Sequence, residues 1–451
     1  MKKTLLTMLC GIALLNGYAQ ETFPRPNGGE YVFNPNKVSC VTESERISIQ
    51  EILEKKKDLL KKTLKNIKKD NPLPPSFIWP VRQTEGFGYN SVWGISNYVD
   101  HSSSSDLIDF NCGNRTYDGH MGTDIYLWPF SWKMMDEEQA EVIAAEDGII
   151  IFKDDGHFDQ SCVMGGGSWN AIYLLHEDGS ISWYGHMKSA TLTSKDVGDS
   201  VEKGEFLGKV GSSGNSTGPH LHFEVYDAEG ALIDPFTGNC NSLNTSSWWE
   251  TQQGYTEPNV NAVLTHTAPP AFNDCPEIES ANISTTFASG DTVYAAIYMR
   301  DQEPDTTINL RIRRPNGTLA GNWAFTFDTY YSSSYWYWLI SPNMDGVWTW
   351  EAEYNGETVA QTFTVGTLGT NENSLSALSV YPNPTTGLVA LEGSTNVSEV
   401  TITDALGKII AIEKNPDGIK QADLSALAQG VYFLTMTAEN NKSRTVKIVR
   451  Q

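Results

Sequence analysis

The run Gly218-Pro219-His220-Leu221-His222-Phe223-Glu224 decides how this chain is interpreted. Its two histidines are two residues apart, and side chains with that spacing share one face of a β-strand. The alternation of His220 and His222 with apolar residues predicts such a strand, with both imidazoles facing one cavity. The preceding residues 211–218 almost lack bulky side chains, so another backbone could approach them closely. The alternative is a surface turn followed by two ordinary histidines.

Two more segments carry groups of the same chemistry. Gly119-His120-Met121-Gly122-Thr123-Asp124 holds an imidazole and a carboxylate in a loop that leads into a predicted strand, and Tyr184-Gly185-His186-Met187 holds another imidazole. A catalytic zinc takes three protein ligands of these types and leaves a fourth position for water. Each segment alone is weak evidence, because a histidine and an aspartate four residues apart often arise by chance and a lone histidine is more often structural.

The three segments together resemble the lysostaphin-type zinc endopeptidases, a family that includes the β-lytic enzymes. The signature of that family is His-x-x-x-Asp, then Tyr-x-His, then Gly-Pro-His-Leu-His-Phe-Glu, and all three occur in this order here. The resemblance implies zinc as the cofactor, with His120, Asp124 and His222 as its ligands. It also implies that His186 and His220 are catalytic histidines that do not bind the metal. The His-Glu-x-x-His motif of other zinc peptidases is absent from the sequence.

The same resemblance implies a peptide hydrolase that acts on the bridges or stem peptides of peptidoglycan, often beside glycine. Zinc lowers the pKa of a bound water towards ~7 and polarises the scissile carbonyl. His186 or His220 can accept the water proton, and the protonated ring can stabilise the oxyanion or assist the departing amine. Which histidine takes which part stays open at the level of sequence.

The end of the chain resembles a second known module. Tyr381-Pro382-Asn383-Pro384-Thr385-Thr386-Gly387, the strand Gly430-Val431-Tyr432-Phe433 and the basic, apolar end are similar to the sorting domain of type IX secretion cargo. The resemblance implies the type IX machinery as a partner, passage through the periplasm and outer membrane, and a final location in the medium or on the cell surface. The alternative is a small β-sandwich module for adhesion.

The chain of 451 residues is long enough for roughly three domains, and its pattern predicts a mainly β protein. Short strands and turns dominate between Phe77 and Trp249, which indicates an antiparallel sheet domain. The alternation around Tyr335–Ile340 and the Asn355-Gly356 turn indicate an immunoglobulin-like sandwich. The predicted parts are a signal peptide (1–19), a helical segment that is a candidate propeptide (20–75), the zinc endopeptidase domain (76–250), the sandwich (265–368) and the sorting domain (375–451).

Two of these parts allow more than one interpretation. Apolar residues three or four apart, with lysines between them, predict a helix from Ser44 to about Lys69. This helix either packs on its neighbour as an ordinary amphipathic element, or belongs to a segment that covers the active site or touches an anionic wall. The aromatic stripe of the sandwich is either core and cross-strand pairing or a platform for sugars.

The net charge and the number of cysteines limit the partners and the disulfide bonds that the protein can have. The net charge of −23 argues against a nucleic-acid partner, and no stretch is long and apolar enough to predict a transmembrane helix. Removal of the signal peptide with Cys10 leaves five cysteines, so one thiol is left over in an exported protein. We expect a Cys112–Cys162 bridge near the catalytic segment.

Two interpretations of the sequence other than an enzyme remain open. The first is a catalytically silent module that binds peptidoglycan or regulates other wall enzymes. Relatives of that kind typically lack some metal ligands, whereas His120, Asp124 and His222 are all present here. The second is a surface adhesin whose working part is the sandwich.

Overall fold

A computed structural model describes most of the chain and confirms a mainly β protein. The predicted signal peptide (1–19) lies outside the described residues. Neither described helix has the length and apolar character needed to span a bilayer. The described residues are 25–33, 39–64, 74–163, 165, 167–273, 275–366, 379–392, 397–405, 407–415, 417–438 and 443–451.

The first described elements are strand β1 (Asn27–Glu30) and helix α1 (Glu43–Leu64). The helix begins with a capping box, because the Thr42 hydroxyl accepts from the Glu45 amide and the Glu45 carboxylate accepts from the Thr42 amide. Its start agrees with the helix predicted from Ser44, and the predicted end near Lys69 lies outside the described residues. Leu53 is buried, whereas Leu59 on the opposite face is 75 % exposed, so α1 packs by one stripe.

The next part of the chain forms an antiparallel sheet domain built around one central strand, β11. In the larger sheet the strand order is β3-β4-β11-β8-β7-β6-β9, with β12 paired to β11, and β10-β5-β2 form a second sheet. The elements are β2 (Val81–Gln83), β3 (Trp93–Asn97), β4 (Thr123–Leu127), α2 (Ser131–Asp136), β5 (Ala140–Ile143), β6 (Gly148–Asp154), β7 (Ala171–Leu175), β8 (Ile181–Gly185), β9 (Ser200–Val201), β10 (Phe206–Lys209), β11 (His220–Tyr226) and β12 (Leu232–Ile233).

Strand β11 separates the two kinds of side chain that its sequence alternates. Leu221, Phe223 and Val225 all lie in the main apolar core of this domain. His220 and His222 occupy the other positions of the strand and are also buried. The two-residue period therefore places both histidines on one face, as the sequence predicted.

The short helix α2 is an addition to the single N-terminal helix that the sequence predicted. The carboxylate of Glu279, which is distant in sequence, accepts hydrogen bonds from the Trp132 and Lys133 amides in its first turn. A distant carboxylate thus satisfies amide groups that a local capping residue would usually satisfy. No local start signal marks this helix, which is why the pattern did not reveal it.

The sandwich consists of sheets β1-β18-β15-β13 and β14-β20-β19-β16-β17. Trp338, Trp348 and Trp350 of the aromatic stripe are at most 2 % exposed, so the core interpretation holds for these rings. The first strand of the sandwich begins before the predicted boundary at residue 265. Its elements are β13 (Asn259–His266), β14 (Thr286–Phe287), β15 (Val293–Gln302), β16 (Thr307–Arg313), β17 (Leu319–Thr326), β18 (Tyr331–Ile340), β19 (Gly346–Tyr354) and β20 (Glu357–Val365).

The C-terminal unit forms two further antiparallel sheets, β21-β22-β25 and β24-β23-β26-β27. They enclose an apolar core that includes Val389, Leu424 and Leu434. The strands are β21 (Ser379–Tyr381), β22 (Leu388–Glu392), β23 (Val397–Asp404), β24 (Ile409–Lys414), β25 (Gln421–Asp423), β26 (Gly430–Ala438) and β27 (Ser443–Arg450).

The cysteines pair differently from the expected Cys112–Cys162 bridge, which is wrong. Cys112 bonds to Cys240 and Cys162 bonds to Cys275, with Cα–Cα distances of 5.1 and 5.7 Å. Partners 128 and 113 residues apart in sequence are brought together by the fold, and spacing alone carries no information about which Cα atoms approach that closely. Cys40 is buried and unbridged, so it is the left-over thiol.

The pairing can be checked by digestion of the unreduced, denatured protein after alkylation of free thiols. We expect two cross-linked peptide pairs in the mass spectrum, Cys112 with Cys240 and Cys162 with Cys275, and an alkylated Cys40. A peptide pair that joins Cys112 to Cys162, or an unmodified Cys40 in a cross-link, would contradict this arrangement.

Candidate metal centre

The hydrogen-bonding register of β11 assembles the site. In this register His222 lies opposite Asp124 on β4 and opposite Gly185 on β8. His186 follows Gly185 directly, and His120 lies in the loop that enters β4. The register therefore brings groups from three distant segments to one end of three adjacent strands.

Three of the predicted residues converge to hydrogen-bonding distance. Nδ1 of His222 lies 2.9 Å from Oδ1 of Asp124 and 3.3 Å from Nε2 of His120. Nε2 of His120 lies 3.2 Å from the same Asp124 oxygen. All three side chains are buried. The structure thus brings together the three residues that the resemblance implies as metal ligands.

Each ligand side chain is oriented by a partner on its far side. Nδ1 of His120 donates to the Tyr98 carbonyl at 2.7 Å, which leaves Nε2 as the free nitrogen. Nε2 of His222 donates to the Glu224 carboxylate at 2.8 Å, which leaves Nδ1 free. The Asn97 amide donates to Oδ2 of Asp124 at 3.0 Å. Such partners fix both the tautomer and the orientation of a metal-binding imidazole.

His186 and His220 lie beside this cluster, with ring centroids 4.3 Å apart. Nδ1 of His186 donates to the Ser213 carbonyl at 2.6 Å, and Nδ1 of His220 donates to the Gly218 carbonyl at 2.8 Å. Nε2 of His220 lies 3.7 Å from Oδ1 of Asp124, whereas Nε2 of His186 is buried and has no hydrogen-bond partner among the described residues. Both rings therefore keep a free Nε2 at the site.

The backbone of the loop 211–218 orients the two histidines. Its residues 211–216 and 218 are buried in this structure. The carbonyls of Ser213 and Gly218 set the tautomers of the two histidines. His186 itself has φ of 60°, a conformation that is rare for a residue other than glycine and that clusters at functional sites.

Burial and neighbouring charges shape the protonation of the site. Burial, followed by the proximity of His186, lowers the pKa of His220 to about 4, so this ring is neutral near pH 7. Burial by itself would raise the pKa of Asp124, but the adjacent His120 and His222 outweigh it and hold that pKa well below its usual range. Asp124 is therefore an anion in this site.

Cys40 is a fourth member of the cluster that the sequence analysis missed. Its Sγ lies 3.4 Å from Nδ1 of His222 and 3.3 Å from the Tyr117 hydroxyl. One ligand atom from each of Cys40, His120, Asp124 and His222 falls within 4.8 Å of the others. The odd number of cysteines was the one sequence signal that pointed to a thiol with a separate role.

Glu224 and Arg46 were also missed as parts of the site. Arg46 on α1 forms a buried ion pair with Glu224 and donates to the Tyr226 hydroxyl at 3.0 Å. Glu224 thus links His222 on one side to α1 on the other. It belongs to the quoted run, but its role needed a partner from a segment 178 residues away in sequence.

The donor set fits a tetrahedral zinc ion. Zinc bonds of about 2.0–2.1 Å to nitrogen and oxygen place neighbouring ligand atoms about 3.3 Å apart, and a bond of about 2.3 Å to sulfur places sulfur about 3.5 Å from nitrogen. The distances among His120, Asp124 and His222 are 2.9, 3.2 and 3.3 Å, and Cys40 Sγ lies 3.4 Å from His222. Nitrogen, carboxylate oxygen and thiolate sulfur are all donors that zinc accepts.

Gly122 offers a test of this packing. A Cβ atom at Gly122 would lie 2.6 Å from Cε1 and Nε2 of His222, which cannot move freely because Nε2 is bound to Glu224. We expect Gly122→Ala to lower zinc affinity at least about tenfold, since a displaced ligand loses its orientation. Competition with a chromophoric chelator would measure this.

Gly88→Ala is the matched control for this substitution. A Cβ atom there meets nothing within 4 Å, so zinc affinity should stay unchanged. Equal zinc affinity in Gly122→Ala and the unaltered chain would contradict the placement of His222.

Two family models match parts of this chain. A model of Peptidase family M23 matches residues 131–235, and a model of the secretion system C-terminal sorting domain matches residues 379–451. The first match includes His186, His220 and His222, whereas His120 and Asp124 precede it.

Curated relatives match over the same part of the chain. Glycyl-glycine endopeptidase ALE-1 of Staphylococcus capitis is 44% identical over 146 residues, which are 32% of this chain and 33% of that protein. DD-carboxypeptidase/endopeptidase Mpg of Neisseria meningitidis serogroup B is 37% identical over 84 residues, or 19% of this chain and 16% of that protein. The chain thus spans about a third or less of the length of these relatives.

Among solved structures, the catalytic domain of lysostaphin from Staphylococcus simulans is 24% identical to this chain. The alignment covers 32% of this chain and 90% of that domain, with a TM-score of 0.21.

Proposed function

We propose that this chain is an exported zinc-dependent endopeptidase that hydrolyses peptide bonds of peptidoglycan. The proposal starts from its Peptidase family M23 domain and its secretion system C-terminal sorting domain. The observation that carries the proposal is the convergence of His120, Asp124 and His222, with two further histidines beside them. This convergence gives a physical basis to the family match.

In this proposal His120 Nε2, Asp124 Oδ1 and His222 Nδ1 hold the metal. When bound, zinc supplies an acidified water and polarises the carbonyl to be attacked. The anion of Asp124 offsets part of the metal charge. Tyr98, Glu224 and Asn97 keep the three ligands in place from behind, which limits the reorganisation needed on binding.

His186 and His220 serve as the proton-transfer groups in this proposal. Both have Nδ1 tied to a backbone carbonyl, so each presents Nε2 as the atom that accepts or returns a proton. The low pKa of His220 keeps its ring neutral near pH 7, which leaves Nε2 without a proton. Nε2 of His186 is buried and has no hydrogen-bond partner in the part of the chain that the structure describes, which is costly to a folded chain and supports a functional role for it.

The substrate class rests on the relatives. The names of ALE-1, Mpg and the Vibrio cholerae peptidoglycan DD-endopeptidase ShyC describe endopeptidases, ShyC as an enzyme of peptidoglycan and ALE-1 as one for glycyl-glycine bonds. We therefore assign this chain to peptidoglycan peptides. The sorting domain supports export by the type IX machinery to the medium or cell surface.

Three histidine variants separate metal binding from catalysis. We expect His222→Ala to lose both zinc and hydrolysis, because it removes a ligand. His220→Ala should keep zinc and lose hydrolysis by about a hundredfold or more, the usual contribution of a proton-transfer group. His157→Ala is the control, since that ring is partly exposed and pairs only with Asp154. Elemental analysis gives the zinc content of each variant. Full zinc retention in His222→Ala would refute the ligand assignment.

The bond that is cleaved can be identified with two purified peptidoglycans, one with glycine bridges and one with direct cross-links. Mass spectrometry of the released fragments should show new amino ends in at least one of them, and His220→Ala should release none above background. New glycine amino ends from the bridged material alone would assign the specificity named for ALE-1. New ends at direct cross-links would assign that of a DD-endopeptidase.

A further inference from the structure

The proposed catalytic groups are closed off in this structure. His120, Asp124, His186, His220 and His222 are each at most 3 % exposed. An endopeptidase must bring a peptide backbone into contact with its metal and its proton-transfer groups. The structure therefore represents a state from which a peptide substrate is excluded.

One N-terminal part of the chain supplies three of the groups that close the site, beside Trp169 and Tyr117 of the sheet domain. We define the covering segment as residues 25–33 and 39–64, which contain β1 and α1. It contacts the site at three separate places: Cys40 in front of the ligands, Arg46 behind His222, and Phe33 over the loop 211–218.

The first contact is made by Cys40. Its Sγ lies 3.4 Å from the ligand nitrogen of His222, within the same group of donor atoms as His120 and Asp124. The buried Nε2 of His186, which has no hydrogen-bond partner among the described residues, belongs to the same site. The thiol therefore stands where a fourth ligand belongs, beside an imidazole nitrogen that has no hydrogen-bond partner within the described ranges.

The second contact ties α1 to the support of a ligand. Arg46 pairs with Glu224, and Glu224 accepts the hydrogen bond that fixes the His222 tautomer. Both charged side chains are almost fully buried, so each depends on the other for compensation. Asn215 on the loop 211–218 also donates to the Glu45 carboxylate at 3.4 Å. The segment is thus bound through polar groups of the site itself.

The third contact covers the approach to His220. The Phe33 ring stacks on Tyr126 at 4.6 Å between centroids and meets the His220 ring at 6.0 Å. It lies so close to Gly218 that a Cβ atom there would be 2.9 Å from the ring. Gly218, at the end of the loop that leads into His220, is therefore covered by a side chain of the covering segment.

The packing of α1 outside these contacts is incomplete. A cleft of about 310 Å³ separates part of the helix from the sheet, lined by residues that include Ser44, Ile49, Phe152 and Trp169. Elsewhere on the helix, Leu53 lies in one buried apolar cluster with Ile151 and Tyr173 of the sheet. The covering segment is therefore held by a partial apolar contact together with its polar contacts to the site.

We propose that Cys40 is the fourth zinc ligand and that the covering segment holds this enzyme latent until Cys40 is displaced. The inference rests on the proposed zinc site and adds its regulation. It makes Cys40 both a contributor to metal affinity and an inhibitor of hydrolysis. A single substitution should therefore change these two properties in opposite directions.

The test uses the full chain, unaltered and as Cys40→Ala and Cys40→Ser, each loaded with zinc. X-ray absorption at the zinc edge should show one sulfur neighbour at about 2.3 Å in the unaltered chain and none in either variant. Zinc affinity should fall at least about tenfold in both variants, because one of four ligands is gone. Release of fragments from purified peptidoglycan should rise at least tenfold.

Ser48→Ala is the matched control on the same helix. Ser48 is exposed and its hydroxyl donates to the Ser44 carbonyl one turn earlier, so its loss should change neither zinc affinity nor hydrolysis. A general loosening of α1 would lower stability without removing sulfur from the zinc spectrum. The opposite shifts in affinity and rate in the Cys40 variants are therefore specific to ligand exchange.

The outcomes separate this inference from the proposed function. Zinc without a sulfur neighbour, together with equal hydrolysis by the unaltered chain and Cys40→Ala, would overturn latency and leave the zinc endopeptidase intact. A sulfur neighbour with no gain in hydrolysis on its removal would overturn the inhibitory part. Failure of all forms to bind zinc would overturn both proposals. Zinc binding with no hydrolysis by any form would refute the enzyme and favour a silent peptidoglycan-binding module.

Discussion

The pairing of β11 with both β4 and β8 is the constraint on which the rest of the site depends. Because side chains alternate along a strand, a shift of one residue would turn His220 and His222 into the apolar core and bring Leu221 and Phe223 to the site. The apolar face of β11 fills the main core, so such a shift would also expose that core. The burial of Phe223 and its neighbours therefore specifies the position of the metal ligands as strictly as it specifies the fold.

Hydrogen-bond partners, most of them backbone carbonyls, then fix the orientation of the side chains that the strands bring together. Each of the five imidazole and carboxylate groups faces a partner that leaves one chosen atom free, and three of those partners are main-chain oxygens. A main-chain oxygen is positioned by the fold and cannot rotate away, so it orients a ring at little entropic cost. This explains why the loop 211–218 needs small residues: its backbone must reach the histidines, whether or not a substrate also lies over it.

The sequence predicted those features of the site that depend on local spacing. The two-residue period of His220 and His222, the His120–Asp124 segment and the start of the helix near Ser44 can all be recognised within a few residues. The sequence could not predict features in which residues far apart along the chain come into contact. The bridges of Cys112 and Cys162, the cap of α2 by Glu279 and the contact of Cys40 with His222 each join segments over a hundred residues apart. Nothing in local composition determines which of five cysteines meets which partner.

The buried charges of Arg46 and Glu224 couple the covering segment to the site. Glu224 is completely buried, and among the described residues its charge is compensated by Arg46 and by the hydrogen bonds from His222 and Tyr226. Arg46 in turn has its charge compensated by Glu224 inside an otherwise apolar contact with Trp183. Neither group can lose its partner while both stay buried, because an unpaired interior charge is strongly destabilising. The carboxylate that orients His222 and the arginine that anchors α1 are therefore coupled, so that withdrawal of the segment has to expose Glu224 to water at the same time as it frees the front of the site.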